Sequence, residues 1–238
     1  MRAELSASFR KEILVSVRSW RVLAYSLFVA AVVLLGASLP TDSFPYELSL
    51  SQGPLLMLLV LGCAFIFASD SVSREHERGT APLVFGTPAS RGALLGAKAL
   101  VPLVAWLLTA AALAASYLSQ GLGTQFVWQW LANLACATLL FLAVLALMLL
   151  VSSAVKGKGA AFAGLVVVLF IFFSSGYLPV GLAEGVRWLS PGYHQYLMVT
   201  DLGDGSLEAP LPLLALLVET AVFILLAFWA FRRSEVSR

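Results

Sequence analysis

The chain has 238 residues, 60% of them hydrophobic and 12% charged, with a mean hydropathy of +0.92. Soluble globular chains run about 45–50% apolar and about 25% charged, so the composition excludes a soluble domain and indicates an integral membrane protein. A net charge of +2 is too small to argue for a nucleic-acid partner, and the placement of the charges is more informative than their sum.

The N-terminal segment does not read as a secretory signal, which needs a short basic start, an apolar centre and a cleavage site. Instead Leu5, Phe9, Ile13, Val17 and Trp20 recur at helical spacing, with Glu4, Ser8, Arg10, Lys11, Glu12, Ser16 and Arg18 around the rest of the circumference. That pattern predicts an amphipathic helix over residues 1–21, lying in the inner headgroup layer. A plain cytoplasmic extension of the first span is the alternative. Six apolar runs follow, at about Val22–Leu39, Pro54–Ser69, Ala93–Tyr117, Phe126–Val155, Ala160–Val180 and Leu211–Phe231. A helix needs about 20 residues to cross a hydrocarbon core of about 30 Å, and every run but the second is long enough. The second must extend at one end, through Leu48–Leu50 or through Asp70–Val72. The expected fold is all-α, with six transmembrane helices in one domain spanning residues 1–238.

Orientation follows from Lys and Arg. Arg2, Arg10, Lys11, Arg18 and Arg21 precede the first span, and Arg74, Arg78, Arg91 and Lys98 lie in or beside the loop after the second. Lys156 and Lys158 separate the fourth and fifth, and Arg232, Arg233 and Arg238 follow the sixth. The other face carries Arg187 as its one basic residue, together with Asp42, Glu47, Glu184, Asp201, Asp204 and Glu208. Both termini are therefore expected in the cytoplasm, and Arg91 and Lys98 are expected to snorkel to the inner headgroups. The long external segment, about Gly181–Pro210, mixes apolar residues with few charges around Pro191–Gly192. It reads either as short helices that dip back into the membrane, broken at that dipeptide, or as an ordinary interfacial loop.

Enzymatic chemistry finds little support. His76 and His194 fall on opposite sides of the bilayer, and no zinc motif, serine elbow or phosphate-binding glycine loop occurs. Cys63 and Cys136 have no neighbouring ligands and read as core thiols, so no metal site is expected. Glu219 lies about eight residues, or roughly 12 Å, below the outer start of the last span. An ionised side chain near the bilayer centre costs on the order of 2.5–3.5 kcal/mol, so this carboxylate is expected to face the bundle interior, to pair, or to stay protonated. It reads either as part of a substrate path or as a structural hydrogen-bond partner of a neighbouring helix, through Asn133 or Ser174.

The first cytoplasmic loop carries the sharpest signal. Asp70–Arg78 is expected to continue the second span outward, and Gly79 can break it. Thr80 is a good N-cap and Pro82 fits a first turn, so 81–85 makes about one helical turn before Gly86. Thr87-Pro88 then reads as the cap of the third span. One turn is unstable alone in water, and Leu83, Val84 and Phe85 each gain about 1.5–3 kcal/mol on burial. The cover is either the membrane surface with the N-terminal helix, or a partner protein.

Glu75-His76-Glu77-Arg78-Gly79-Thr80, then Leu83, Thr87-Pro88, Ser90-Arg91 and the later Lys98, resemble the first cytoplasmic loop of type-2 ATP-binding-cassette permeases. The N-terminal helix, six spans and long segment before the last span extend that resemblance over nearly the whole chain, and "WLSPGYHQYL" resembles the family's external Ser-Pro region more loosely. The chain departs from the family at Pro82, where an acidic residue is common, and at Gly86, where Ser is. The resemblance implies a plasma (inner) membrane transport subunit with no cofactor of its own. Two partner ATPase chains would hold ATP and Mg2+, and the helix at about 80–86 would dock into an ATPase groove, oriented by Glu75, Glu77, Arg78 and Arg91. A second permease chain, identical or related, would complete a pathway that is usually one of export, with Pro191 and Tyr193 in an outer gate. Rival readings are a stand-alone transporter coupled to protons through Glu219, and a membrane scaffold or sensor.

Overall fold

A computed structural model describes residues 2–38, 45–69, 71–73, 75, 90–118, 124–155, 159–173, 190–194, 197–198 and 210–233. All regular structure among them is helical: α1 (Arg2–Arg18), α2 (Arg21–Ser38), α3 (Pro45–Ala68), α4 (Arg91–Leu118), α5 (Thr124–Ala154), α6 (Gly159–Phe173) and α7 (Pro210–Arg233). Each apolar run thus holds a helix over its described residues, as expected where no water is available to satisfy exposed backbone groups. By length and composition, α4, α5 and α7 can each cross a membrane. The pair α1 and α2, bent by 65° at its junction, adds a fourth if counted as one span. In α3 and α6 the apolar stretches Leu55–Ala68 and Gly159–Leu169 are shorter.

Helix α5 is the axis of the bundle. Leu140, Phe141, Val144 and Met148 are fully or almost fully buried, and α3, α4, α6 and α7 pack around it. The Trp106 ring of α4 stacks on Phe141 at 5.3 Å between centroids, and its Nε1–H donates to Thr138 Oγ1 of α5 at 3.1 Å. Tyr25 of α2 shares a 3.0 Å hydrogen bond with Thr109 of α4 and meets the Phe67 ring of α3 edge-on at 5.4 Å. Both aromatic hydroxyl and indole N–H groups have partners, as burial of an otherwise apolar ring requires. Close contact also needs small residues. A side chain at Gly62 would overlap the Phe28 ring of α2.

The outside inverts the rule for soluble proteins. On α7, Leu211, Leu214, Leu217, Val218, Leu225 and Trp229 are all more than 40% exposed, as are Val22, Leu23 and Leu27 on α2. Water would penalise such faces, whereas lipid tails solvate them at no cost. The Arg232 and Arg233 guanidinium groups lie over Phe228 and Trp229, holding charge at the helix end.

One expectation needs correction. The second span lengthens at its 45–50 end and stops at Ala68, so it does not run on as one helix into 70–78. Ser71 N–H bonds the Ala68 carbonyl at 3.2 Å, and the Ser152 hydroxyl of α5 accepts the Val72 and Ser73 N–H groups at 3.0 and 3.3 Å. These side-chain acceptors compete with the helical ladder and turn the backbone there. Helix α4 begins at Arg91 with Ser90 as its cap, the Ser90 Oγ accepting the Ala93 N–H at 3.3 Å. The cap expected at Thr87-Pro88 lies outside the described residues.

At the other junction, Trp20 has φ 63° between α1 and α2. A left-handed bulky residue costs roughly 1–2 kcal/mol, and here it turns α1 sharply off the axis of α2. Ile13, Leu14, Val17 and Trp20 remain exposed, 39–72%, while Ser16 is buried. An apolar outer strip thus runs along a helix set at 65° to the next.

Candidate functional site

Lys98 sits two turns into α4, and no acidic residue occurs anywhere in that helix. An ammonium group there must snorkel out or find partners on other elements. It finds partners, which overturns the expectation that Lys98 reaches the headgroups: its side chain is 2% exposed. Its Nζ lies 3.1 Å from Glu12 Oε1 of α1, 3.0 Å from Glu75 Oε1, and 2.8 Å from the Ser71 carbonyl. Three N–H donors meet three acceptors, so the group is saturated. Lys11 adds a second cation to Glu75 at 3.3 Å, from a half-exposed position. Arg91, by contrast, is exposed and donates to the Arg232 carbonyl at 3.4 Å, capping the last turn of α7.

The Lys98 cluster joins three elements at the root of the loop that follows α3. Glu75 stands at the start of that loop, Lys98 is in the helix that follows it, and Glu12 brings in α1. The Arg21 Nη1–H donates to the Phe67 carbonyl at 3.1 Å and ties the start of α2 to the same end of α3. A displacement of Glu75 therefore pulls on α4 and α1 together. Glu77, Arg78, Gly79, Thr80, Leu83, Val84, Phe85, Thr87 and Pro88, the expected docking residues, lie outside the described residues.

A second polar cluster lies beside α7. Ser190 caps a helix at 191–194, its carbonyl accepting the Tyr193 and His194 N–H groups at 3.0 and 3.2 Å. Pro191 occupies the first turn of that helix, and the residues before Ser190 lie outside the described residues. His194 is fully buried, and its Nε2 lies 3.4 Å from Glu219 Oε1, nine residues into α7. Tyr193 is half-buried, its ring 6.1 Å from that of His194. Asn133 is buried on α5 with neither amide atom hydrogen-bonded, so it is not the partner of Glu219; Ser174 lies outside the described residues.

Reading along the chain missed both pairings. The signal for the first was a lysine embedded in an apolar helix without a local carboxylate. For the second it was Ser190-Pro191, a helix start placing a histidine in the first turn of a segment that precedes a span with a misplaced acid. Residues 45–236 match the family described as ABC-2 family transporter protein. No individual curated protein matches the chain. A match over most of the length, on a bundle of apolar helices, is decisive: the chain belongs to the ABC-2 transporter family.

Proposed function

We propose that the protein is the membrane-spanning permease subunit of an ATP-driven exporter, with six spans and both termini in the cytoplasm of a cell whose plasma membrane it occupies. Two copies, or this chain and a related permease, enclose the pathway. Two soluble ATPases, carrying ATP and Mg2+, dock on the helix at about 80–86. The observation that supports this reading best is the Lys98 cluster. Its ion pairs bind the loop's leading edge to α4 and α1, so motion imposed on the loop by a docked ATPase reaches the spans as a rigid displacement. Loosely solvated loop ends would absorb the same motion locally. Family membership also favours this reading over a stand-alone proton-coupled transporter.

The experiment is copurification with a soluble ATPase that carries a phosphate-binding loop. Leu83→Asp and Phe85→Asp together place charges on the apolar tip and are expected to release the ATPase while the permease still inserts and purifies as before. Retention of the ATPase by that variant overturns the docking assignment. An active chain isolated without any ATPase, and driven by a pH gradient, overturns the whole reading.

A further inference from the structure

We propose that the outward face of α1 binds anionic phospholipid headgroups, with Arg10 and Arg18 holding the phosphates and Ile13, Leu14, Val17 and Trp20 set among the acyl chains. The proposal needs neither a partner ATPase nor a cargo, so it stands apart from the permease reading and goes beyond it.

The roll of α1 about its own axis determines which residues meet the lipid, and a buried pair fixes that roll. Glu12 turns inward, 3.1 Å from the Lys98 Nζ of α4, and Ser16, one turn further on, is buried. Residues four apart share a helix face, so this side is the one packed on α4. The opposite side faces out. Arg10, Ile13, Leu14 and Val17 stand there at i, i+3, i+4 and i+7, one stripe of exposed side chains. Lys11, Leu14 and Arg18 form a second exposed row beside it, so Leu14 is the seam between the apolar stripe and the basic one.

The two arginines lack compensation. Lys11 reaches Glu75 at 3.3 Å, and Arg21, just past the turn, donates to the Phe67 carbonyl. Arg10 and Arg18 have no counter-charge among the described residues. A guanidinium presents a planar fork of N–H groups that matches a phosphate through two parallel bonds. The apolar stripe selects a lipid over a soluble anion, because Ile13, Leu14, Val17 and Trp20, 39–72% exposed, need a hydrocarbon phase beside them. Helix α2 shows where that phase lies. It meets α1 at 65°, so with α2 along the membrane normal α1 lies nearer the plane of the surface. The stripe also continues across Trp20 into Val22, Leu23 and Leu27, the exposed apolar face of α2. Trp20 stands between the two, at the level where indole rings collect in membranes.

The test varies the charge of the lipid. The purified chain is placed in nanodiscs of phosphatidylcholine alone, or of phosphatidylcholine mixed with phosphatidylglycerol, and exchange of the α1 amides is followed by mass spectrometry. Exchange is expected to be about 25-fold slower in the mixed discs, about fivefold for each arginine. Arg10→Gln and Arg18→Gln are each expected to lose about fivefold of that slowing, and to leave exchange in neutral discs unchanged, where a purely structural role would show itself. Arg10→Lys with Arg18→Lys keeps both charges and is expected to retain most of the slowing. Inorganic phosphate at matched ionic strength is expected to have no effect in neutral discs. Equal exchange of the native chain in the two kinds of disc overturns the proposal; that result is the one expected if the face serves a second copy of this chain or another protein. Slowing by inorganic phosphate alone, or glutamine variants that keep the native slowing, overturns it as well. Because no ATPase is present, failure here is separate from failure of the copurification that tests the permease assignment.

Discussion

Replacing Lys98 by Met removes the ammonium group and keeps the volume of its stem. The native Nζ is buried and serves two carboxylates and a carbonyl, at 3.1, 3.0 and 2.8 Å. Its loss leaves Glu12 and Glu75, with side chains 16% and 12% exposed, facing one another where a cation had separated them. Breaking a buried pair by deleting one partner costs 3–5 kcal/mol, and the remaining Lys11 contact and partial exposure put the expected loss near the lower end, about 3 kcal/mol. That loss falls on the docking of α1 against α4, so it is read locally. Hydrogen–deuterium exchange of α1 amides in detergent or nanodiscs is expected to accelerate roughly a hundredfold, since each 1.4 kcal/mol is tenfold in an opening equilibrium. The double variant sharpens the expectation. Glu75→Gln alone loosens the native protein, but in the Lys98→Met background it relieves like-charge repulsion and restores part of the protection, a coupling of about 0.5–3 kcal/mol. Unchanged exchange in Lys98→Met, or full additivity in the double variant, refutes the Lys98 cluster as the tie between α1 and the loop root.

Two further predictions concern the bundle. Trp106→Ala is expected to lower stability by about 3–5 kcal/mol, whereas Trp106→Phe loses mainly the indole bond to Thr138, about 0.5–1.5 kcal/mol, because Thr138 keeps its 2.8 Å bond to the Leu134 carbonyl. Thermal melts of the purified permease separate the two; equal losses would show that the stacking on Phe141 is unimportant. Gly62→Ala is expected to cost about 1–3 kcal/mol by pushing on the Phe28 ring, and Phe28→Leu in the same chain is expected to recover part of it. No recovery would place the strain elsewhere.

Much of this protein was legible in advance. Apolar runs located the helices, although α3 begins nine residues before the run expected at Pro54–Ser69, because in lipid a backbone has almost no other way to satisfy its polar groups. The break at Ser71–Val72 was missed because helix periodicity contains no information about Ser152, some eighty positions further on, whose hydroxyl accepts the Val72 and Ser73 backbone donors. Lys98 was misread for a similar reason. Its position near a helix end suits snorkelling, and nothing local names Glu12 as its partner 86 residues away.

From the order of its residues alone, this chain is committed to an all-helical membrane bundle with a family motif between its second and third apolar runs. Those properties depend on composition and short-range periodicity, which act within a few turns. Tertiary structure decided the pairings: that the motif's Glu75 meets Lys98 and Glu12, and that Glu219 answers to His194 and not to Asn133. A buried charge accepts whichever counter-group packing brings within about 3–4 Å, and that distance is set by how separate helices cross, which no single helix specifies.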